Sequence, residues 1–151
     1  MKRYAFLAVL LSFIGTGAFA QSDENAIKKT VNNLFTGMKN GDSTLARSAF
    51  AKDFIMQTIV NKNGSTAVRT EKLDGFIKFI GSPHKEKFDE RIVFTKILID
   101  GPLASVWTDY GFYVDEKFSH CGVNSFQLVK GDKGWQIVYL IDTRRKDACK
   151  I

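Results

Sequence analysis

The sequence predicts an α+β fold in which helices pack in a curved, mainly antiparallel sheet. Three observations predict it. Helical stripes occur before residue 81, and four long strand-like segments follow residue 88. Short turns join those strands, which forces antiparallel neighbours. Thirteen phenylalanines against two prolines suit a packed, sheet-rich domain and not a disordered chain.

The first element is a helix over residues 24–39. Ile27, Val31, Leu34, Phe35 and Met38 form one apolar stripe. Ser22 or Asp23 is placed to cap its start, and Asn40-Gly41 stops it. A short second helix follows Asp42, with Leu45, Ala46, Ala49 and Phe50 on one side. The period then changes. Residues 54–60 read as a strand, Asn61-Lys62-Asn63-Gly64 as a turn, and residues 66–69 as the returning strand. Thr70 is placed to cap a third helix, whose stripe is Leu73, Phe76, Ile77 and Ile80, and which Gly81 and Pro83 end. Strands follow over 88–99, 103–114, 118–130 and 135–142. Gly101-Pro102, a three-residue connection Asp115-Glu116-Lys117, and Gly131-Asp132-Lys133-Gly134 separate them.

The ends carry a different message. Met1-Lys2-Arg3 is basic, YAFLAVLLSFI is apolar, and Ala18-Phe19-Ala20 has the small-x-small pattern that a signal peptidase cuts. The apolar run is too short to span a bilayer, which takes about 20 residues. Residues 1–20 therefore read as a signal peptide, and residues 21–151 as a single exported domain, periplasmic or secreted, with no membrane attachment after cleavage. The formal net charge of +6 falls by two when Lys2 and Arg3 leave. Arg144, Arg145, Lys146 and Lys150 gather at the C-terminus. Without a nucleic-acid motif they read as a solvated end, so no nucleic-acid partner is expected.

No metal or cofactor is expected either. Zinc asks for three or four ligands at short spacing. The chain has two histidines and two cysteines, and His84 sits in the polar stretch SPHKEK, where it reads as a surface residue.

His120 and Cys121 are neighbours on a strand, so their side chains point to opposite faces. That separates them as a catalytic pair unless Gly122 marks a bulge. Pairing Lys130 with Trp135 puts Cys121 opposite Arg144. A tail that folds back through residues 145–148 would then allow a Cys121–Cys149 disulfide, worth about 3–4 kcal/mol on the chain-entropy model. Two free thiols, or a bond between subunits, are the other arrangements open to an exported chain. The late strands are apolar on both faces, with Phe126 and Leu128 on one, Val123 and Val129 on the other. One face packs on the helices. A second copy of the chain is the simplest cover for the other, so a homodimer through the sheet face is expected.

The segment SHCGVNSFQLVKGDKGWQIVYLIDTRRKDAC, with His120-x-Gly122, Phe126-x-Leu128, Gly134-Trp135 and Thr143-Arg144-Arg145, resembles the nuclear transport factor 2-like (cystatin-like cone) superfamily. Within it, the chain is similar to exported bacterial proteins of the "putative lumazine-binding" and SnoaL-like groups. The resemblance extends over residues 23–149 and implies a cone with a pocket at its open end. It implies no single activity, because this scaffold hosts isomerases, dehydratases, cyclases and binding proteins. The aspartate base of the superfamily's steroid isomerases falls near Thr58, and their helix tyrosine falls at Phe35. Both departures argue against that reaction.

The pocket wall expected from the strand faces is Trp107, Tyr110, Phe112, His120, Asn124 and Phe126, closed by Phe76 and Phe79 from the third helix. A connection over 115–117 pairs Val114 with Phe118, and so sets His120 opposite Phe112 and Gly122 opposite Tyr110. The function expected is binding of a small, partly apolar molecule without catalysis. The alternative is a cofactor-free lyase or isomerase with His120 as acid/base and Asp109 or Tyr110 as partner, which requires a strand register that unites Asp109 and His120 on one face.

Overall fold

The apolar stripe of the first helix is buried along its length. Ile27, Val31, Leu34, Phe35 and Met38 all lie in the core, and each buried side chain of this kind contributes roughly 1.5–3 kcal/mol. The helix itself, α1 (Gly15–Asn40), begins earlier than its capping residues suggest. Asp23 lies inside it and caps nothing. Its carboxylate accepts from Lys130 Nζ (2.6 Å) and Trp135 Nε1 (3.1 Å), which ties α1 to the last hairpin. The computed structural model describes residues 15–62 and 64–150, with side chains from Gln21 onward except Lys62. The greater part of the expected signal peptide, residues 1–14, lies outside the described residues. Among those described, no helix is long and apolar enough to cross a membrane.

Helix α2 (Ser43–Ser48) is capped by Asp42, whose carboxylate accepts from the Leu45 backbone N–H at 2.8 Å. Strands β1 (Phe50–Lys62) and β2 (Ser65–Glu71) follow, then α3 (Leu73–Gly81). Thr70 is not the cap of α3. Strand β2 runs through it, its hydroxyl accepts from Gln57 Nε2 at 3.1 Å, and Lys72 takes the cap position without a side-chain bond. The chain then makes β3 (Phe88–Asp100), β4 (Leu103–Val114), β5 (Lys117–Gly131) and β6 (Gly134–Thr143).

The six strands form one curved sheet in the order β2-β1-β6-β5-β4-β3. Neighbours are antiparallel except β1 and β6, which are parallel. Long separation in sequence permits that parallel pair, since α3 and the four strands β2 to β5 lie between them. The helices fill the concave side. Ala104, Val106, Phe126, Leu128, Ile137 and Leu140 of the sheet meet the α1 stripe there, with Ile80 of α3. The opposite face carries Val93, Leu98, Leu103, Trp107 and Val129, each about half exposed.

The β4–β5 turn corrects the expected three-residue connection. Val114 pairs with Lys117, so the turn is Asp115-Glu116 alone, with φ of 49° and 63° at its two central residues. Two left-handed residues match the twist of a tight hairpin. The register then shifts by one residue at Ser119, between the pairs Tyr113–Phe118 and Phe112–His120. The shorter turn and the shift cancel. His120 lies opposite Phe112 and Gly122 opposite Tyr110.

A second shift, between Gln127 and Leu128, moves the β5–β6 pairing by one. Cys121 therefore bridges Arg145 and not Arg144, through backbone bonds of 2.8 and 2.9 Å. Beyond it the tail folds back, and Cys121 and Cys149 form a disulfide.

Candidate functional site

Between the helices and the concave face lies a cavity with two adjoining lobes. The larger, about 600 Å³, is walled by Leu34, Phe35 and Met38 of α1, Met56 of β1, Phe76 of α3 and Leu140 of β6. The smaller, about 190 Å³, is walled by Phe76, Phe79, Phe88, Tyr110, Phe112 and His120. Met38, Phe76, Phe79, Glu90, Asp142 and Arg144 border both. The total is of the size that holds a small organic molecule.

Polar groups cross the floor in a row set by strand pairing. Thr58 of β1 faces Asp142 of β6, Asp142 faces Asn124 of β5, and Asn124 faces Thr108 of β4. Asn124 Nδ2 donates to Glu90 Oε1 at 2.7 Å and approaches Thr108 Oγ1 at 3.4 Å. Arg144 Nε donates to Asp142 Oδ2 at 2.9 Å. The Tyr110 hydroxyl donates to the Thr143 carbonyl at 2.8 Å and lies 3.4 Å from Asp142 Oδ2. Thr58, 1% exposed, keeps a hydroxyl without a hydrogen-bond partner. A buried hydroxyl in that state costs free energy that a ligand atom can recover.

Gly122 makes room for this arrangement. A Cβ there would stand 1.8 Å from the Thr143 carbonyl oxygen and 2.6 Å from the Tyr110 ring. The glycine is needed for close approach and not for a bulge. It lets Tyr110 lie across β5 and reach Thr143.

Glu90 is the residue whose chemistry the environment changes most. Burial raises its pKa to about 7, with the Asp142 carboxylate adding to the rise, and the Asn124 amide and Arg144 opposing it. Glu90 is partly accessible and lines both lobes of the cavity. The next residue back shows the contrast. Burial also works against ionised Asp89, yet Lys39 and Arg91, both at 2.9 Å, outweigh it and hold Asp89 below the usual carboxylate range. Glu90 has no such cation at contact distance among the described residues.

The other titratable groups are tuned away from easy proton transfer. Burial and the nearby Arg144 hold His120 below its ordinary 6.5, which favours the neutral imidazole. Its Nδ1 lies 3.1 Å from the Ser119 hydroxyl. Burial, Glu90 and Asp142 push the Tyr110 phenol above its ordinary range. Among the described residues, no cluster of three or more His, Cys, Asp or Glu side chains is arranged to hold a metal.

The expected wall divides into residues that meet the cavity and residues that do not. Tyr110, Phe112, His120, Asn124, Phe76 and Phe79 line it. Trp107 does not. It is three residues from Tyr110, so strand alternation turns it outward, where it is 49% exposed. Phe126 is on the inner face but fully buried, with its ring edge-on to Phe35 at 6.2 Å, and it packs the core. Asp109 shares Trp107's face and lines an outward groove of about 420 Å³. The observed register keeps it from His120, which removes the Asp109–His120 pair. His84 is half-buried in an aromatic cluster, 5.9 Å from Phe79 and 5.0 Å from Phe88 between ring centroids.

Sequence reasoning missed Glu90 and Thr58 as site residues. The signal for Glu90 was present, since Phe88, Glu90, Ile92 and Phe94 alternate along β3 and place one acid in an otherwise apolar row.

Residues 22–140 match the family described as "Putative lumazine-binding". No curated protein matches the chain. Among solved structures, a nuclear transport factor 2-like protein of unknown function from Shewanella baltica is 21% identical, with a TM-score of 0.65 over 85% of this chain and 98% of its own. One from Novosphingobium aromaticivorans with a cystatin-like fold is 12% identical, with a TM-score of 0.66 over 88% of each chain. A domain of unknown function with a cystatin-like fold from Nostoc punctiforme is 16% identical, with a TM-score of 0.63 over 84% of this chain and 80% of its own. At these identities the likeness is one of fold.

Proposed function

The chain belongs to the "Putative lumazine-binding" family and has the nuclear transport factor 2-like fold, and from that premise we propose that it is an exported domain that binds a small, partly apolar molecule inside its cone. One observation carries the reading. A cavity of about 600 Å³, lined by apolar and polar side chains in similar measure, keeps at its floor the buried Thr58 hydroxyl with no hydrogen-bond partner, near Glu90, whose bond from Asn124 occupies one carboxylate oxygen. Fold stability alone gives no reason to keep a buried hydroxyl unpaired. A ligand that fills the cavity and bonds to it does. The test is a titration of the isotopically labelled protein with small molecules extracted from the exported fraction of its own cells. Amide shifts confined to Thr58, Glu90, Asn124 and Phe76 support the reading. Shifts confined to the outward groove around Trp107 count against it.

A second copy completes the assembly in this reading. Val93, Leu98, Leu103, Trp107 and Val129 leave the outward face apolar, and a partner's identical face would cover them.

A catalytic reading is favoured by one observation, the Glu90 carboxyl poised near neutral pH beside His120. In that case the domain is a cofactor-free lyase or isomerase, with Glu90 as the proton acceptor in place of Asp109 and with His120 as a neutral hydrogen-bond donor. Glu90→Gln would then abolish turnover while leaving ligand affinity within a few-fold, which binding alone does not predict.

A further inference from the structure

The carboxylates that line the cavity are matched to cations with one exception. Asp142 holds Arg144 and Glu71 holds Arg69 at 2.6 Å, while Asp89, next to Glu90 on β3 but not on the cavity wall, holds Lys39 and Arg91. Glu90 holds none. Asn124 fixes its Oε1, and among the described residues no donor reaches Oε2. Glu90 borders the smaller lobe, which Phe76, Phe79, Phe88 and Phe112 also line. Aromatic faces beside an unmatched carboxylate attract a positive charge and disfavour a negative one.

We propose that the smaller lobe seats a protonated amine or other organic cation, its charge held by Glu90 and its substituents packed on Phe76, Phe79, Phe88 and Phe112. The assignment rests on the cavity being a ligand site. It makes the ligand's inserted end the cation that Glu90 lacks, as Lys39 and Arg91 are for Asp89.

Binding then depends on pH in a defined way. The groups that face Glu90 are Tyr110 from β4, His120 from β5, Asp142 from β6 and Arg144 just past its end. Arg69, Glu71 and Lys72 stand at the larger lobe's rim. Side chains of α1 and α3 that line the cavity are uncharged. Tyr110 titrates far above neutrality and His120 below its usual range, so a step near pH 7 belongs to Glu90.

The experiment uses three probes of one shape on the full chain: benzylamine, benzyl alcohol and benzoate, followed by amide shifts and calorimetry. At pH 8 the wild type is expected to bind benzylamine about tenfold or more tightly than benzyl alcohol, with benzoate weakest. Benzylamine affinity falls toward a tenfold loss per pH unit below 7. Glu90→Gln, which keeps an acceptor for Asn124, removes both the preference for benzylamine over benzyl alcohol and the pH dependence. Benzyl alcohol binding as well as benzylamine at pH 8, in the same lobe, overturns the cation assignment and leaves the ligand site standing. No shift at the lobe with any probe overturns the assignment together with the ligand-site reading. If the variant does not fold, the pH dependence of the wild type decides.

Discussion

Replacing Glu90 by Gln tests the electrostatics of the cavity without any ligand. In the unfolded chain this carboxyl titrates near 4.5, and in the folded chain near 7. Between those values the folded state holds a proton that the unfolded state has released. The proton favours folding below pH 4.5, and its contribution is lost as pH rises through 7. Each tenfold change in proton affinity is worth about 1.4 kcal/mol, so ionising Glu90 costs the fold about 3 kcal/mol by pH 8. Gln cannot ionise and still accepts from Asn124. The variant is therefore expected to be up to about 3 kcal/mol more stable than the wild type at pH 8, and no more stable at pH 4.5. Urea unfolding at both pH values reads the difference directly. Equal pH profiles for the two proteins would refute the reasoning, as would a loss of stability in the variant at pH 8.

Other consequences follow from single contacts. Gly122→Ala forces a methyl against the Thr143 carbonyl and the Tyr110 ring; a loss of at least about 2 kcal/mol is expected by denaturant unfolding, within the range of severe overpacking. Cys121→Ser with Cys149→Ser removes the bond that closes the tail on β5. It should cost about 3 kcal/mol and speed hydrogen exchange at the Arg145 amide, which is bonded to the Cys121 carbonyl. Sedimentation should give twice the chain mass for the wild type and the chain mass for Trp107→Glu, with unchanged circular dichroism. A wild type that stays monomeric at high concentration would remove the proposed dimer. N-terminal sequencing of protein recovered from the exported fraction is expected to begin at Gln21, and a sequence that begins at Met1 would contradict cleavage.

Much of the fold was legible because turns and periods are local properties. Asn40-Gly41, Gly101-Pro102 and Gly131–Gly134 mark the element ends, and β4 runs over the residues its pattern indicates. The β1–β6 parallel pairing was not legible, because it joins segments far apart in sequence. The opposition of His120 and Phe112 came out right through two offsetting departures, a two-residue turn and an extra residue at Ser119. Neither is visible in a hydrophobic pattern. Trp107 could have been placed outward by alternation alone, since it and Tyr110 are an odd number of residues apart. Phe126 could not be told from a pocket residue, because core and cavity share the concave face and only the reach of α1 divides them. Glu90 became a site residue through tertiary context. Its neighbour Asp89 is the same chemistry with two cations beside it.

Whether the cone interior holds a small molecule is decided by native mass spectrometry of the protein purified from its exported fraction, with wild type compared with Thr58→Phe, which fills the larger lobe. The wild type is expected to show a species heavier than the chain by the mass of one small molecule per copy, absent from the variant. An identical added mass in both proteins would place the molecule outside the cone.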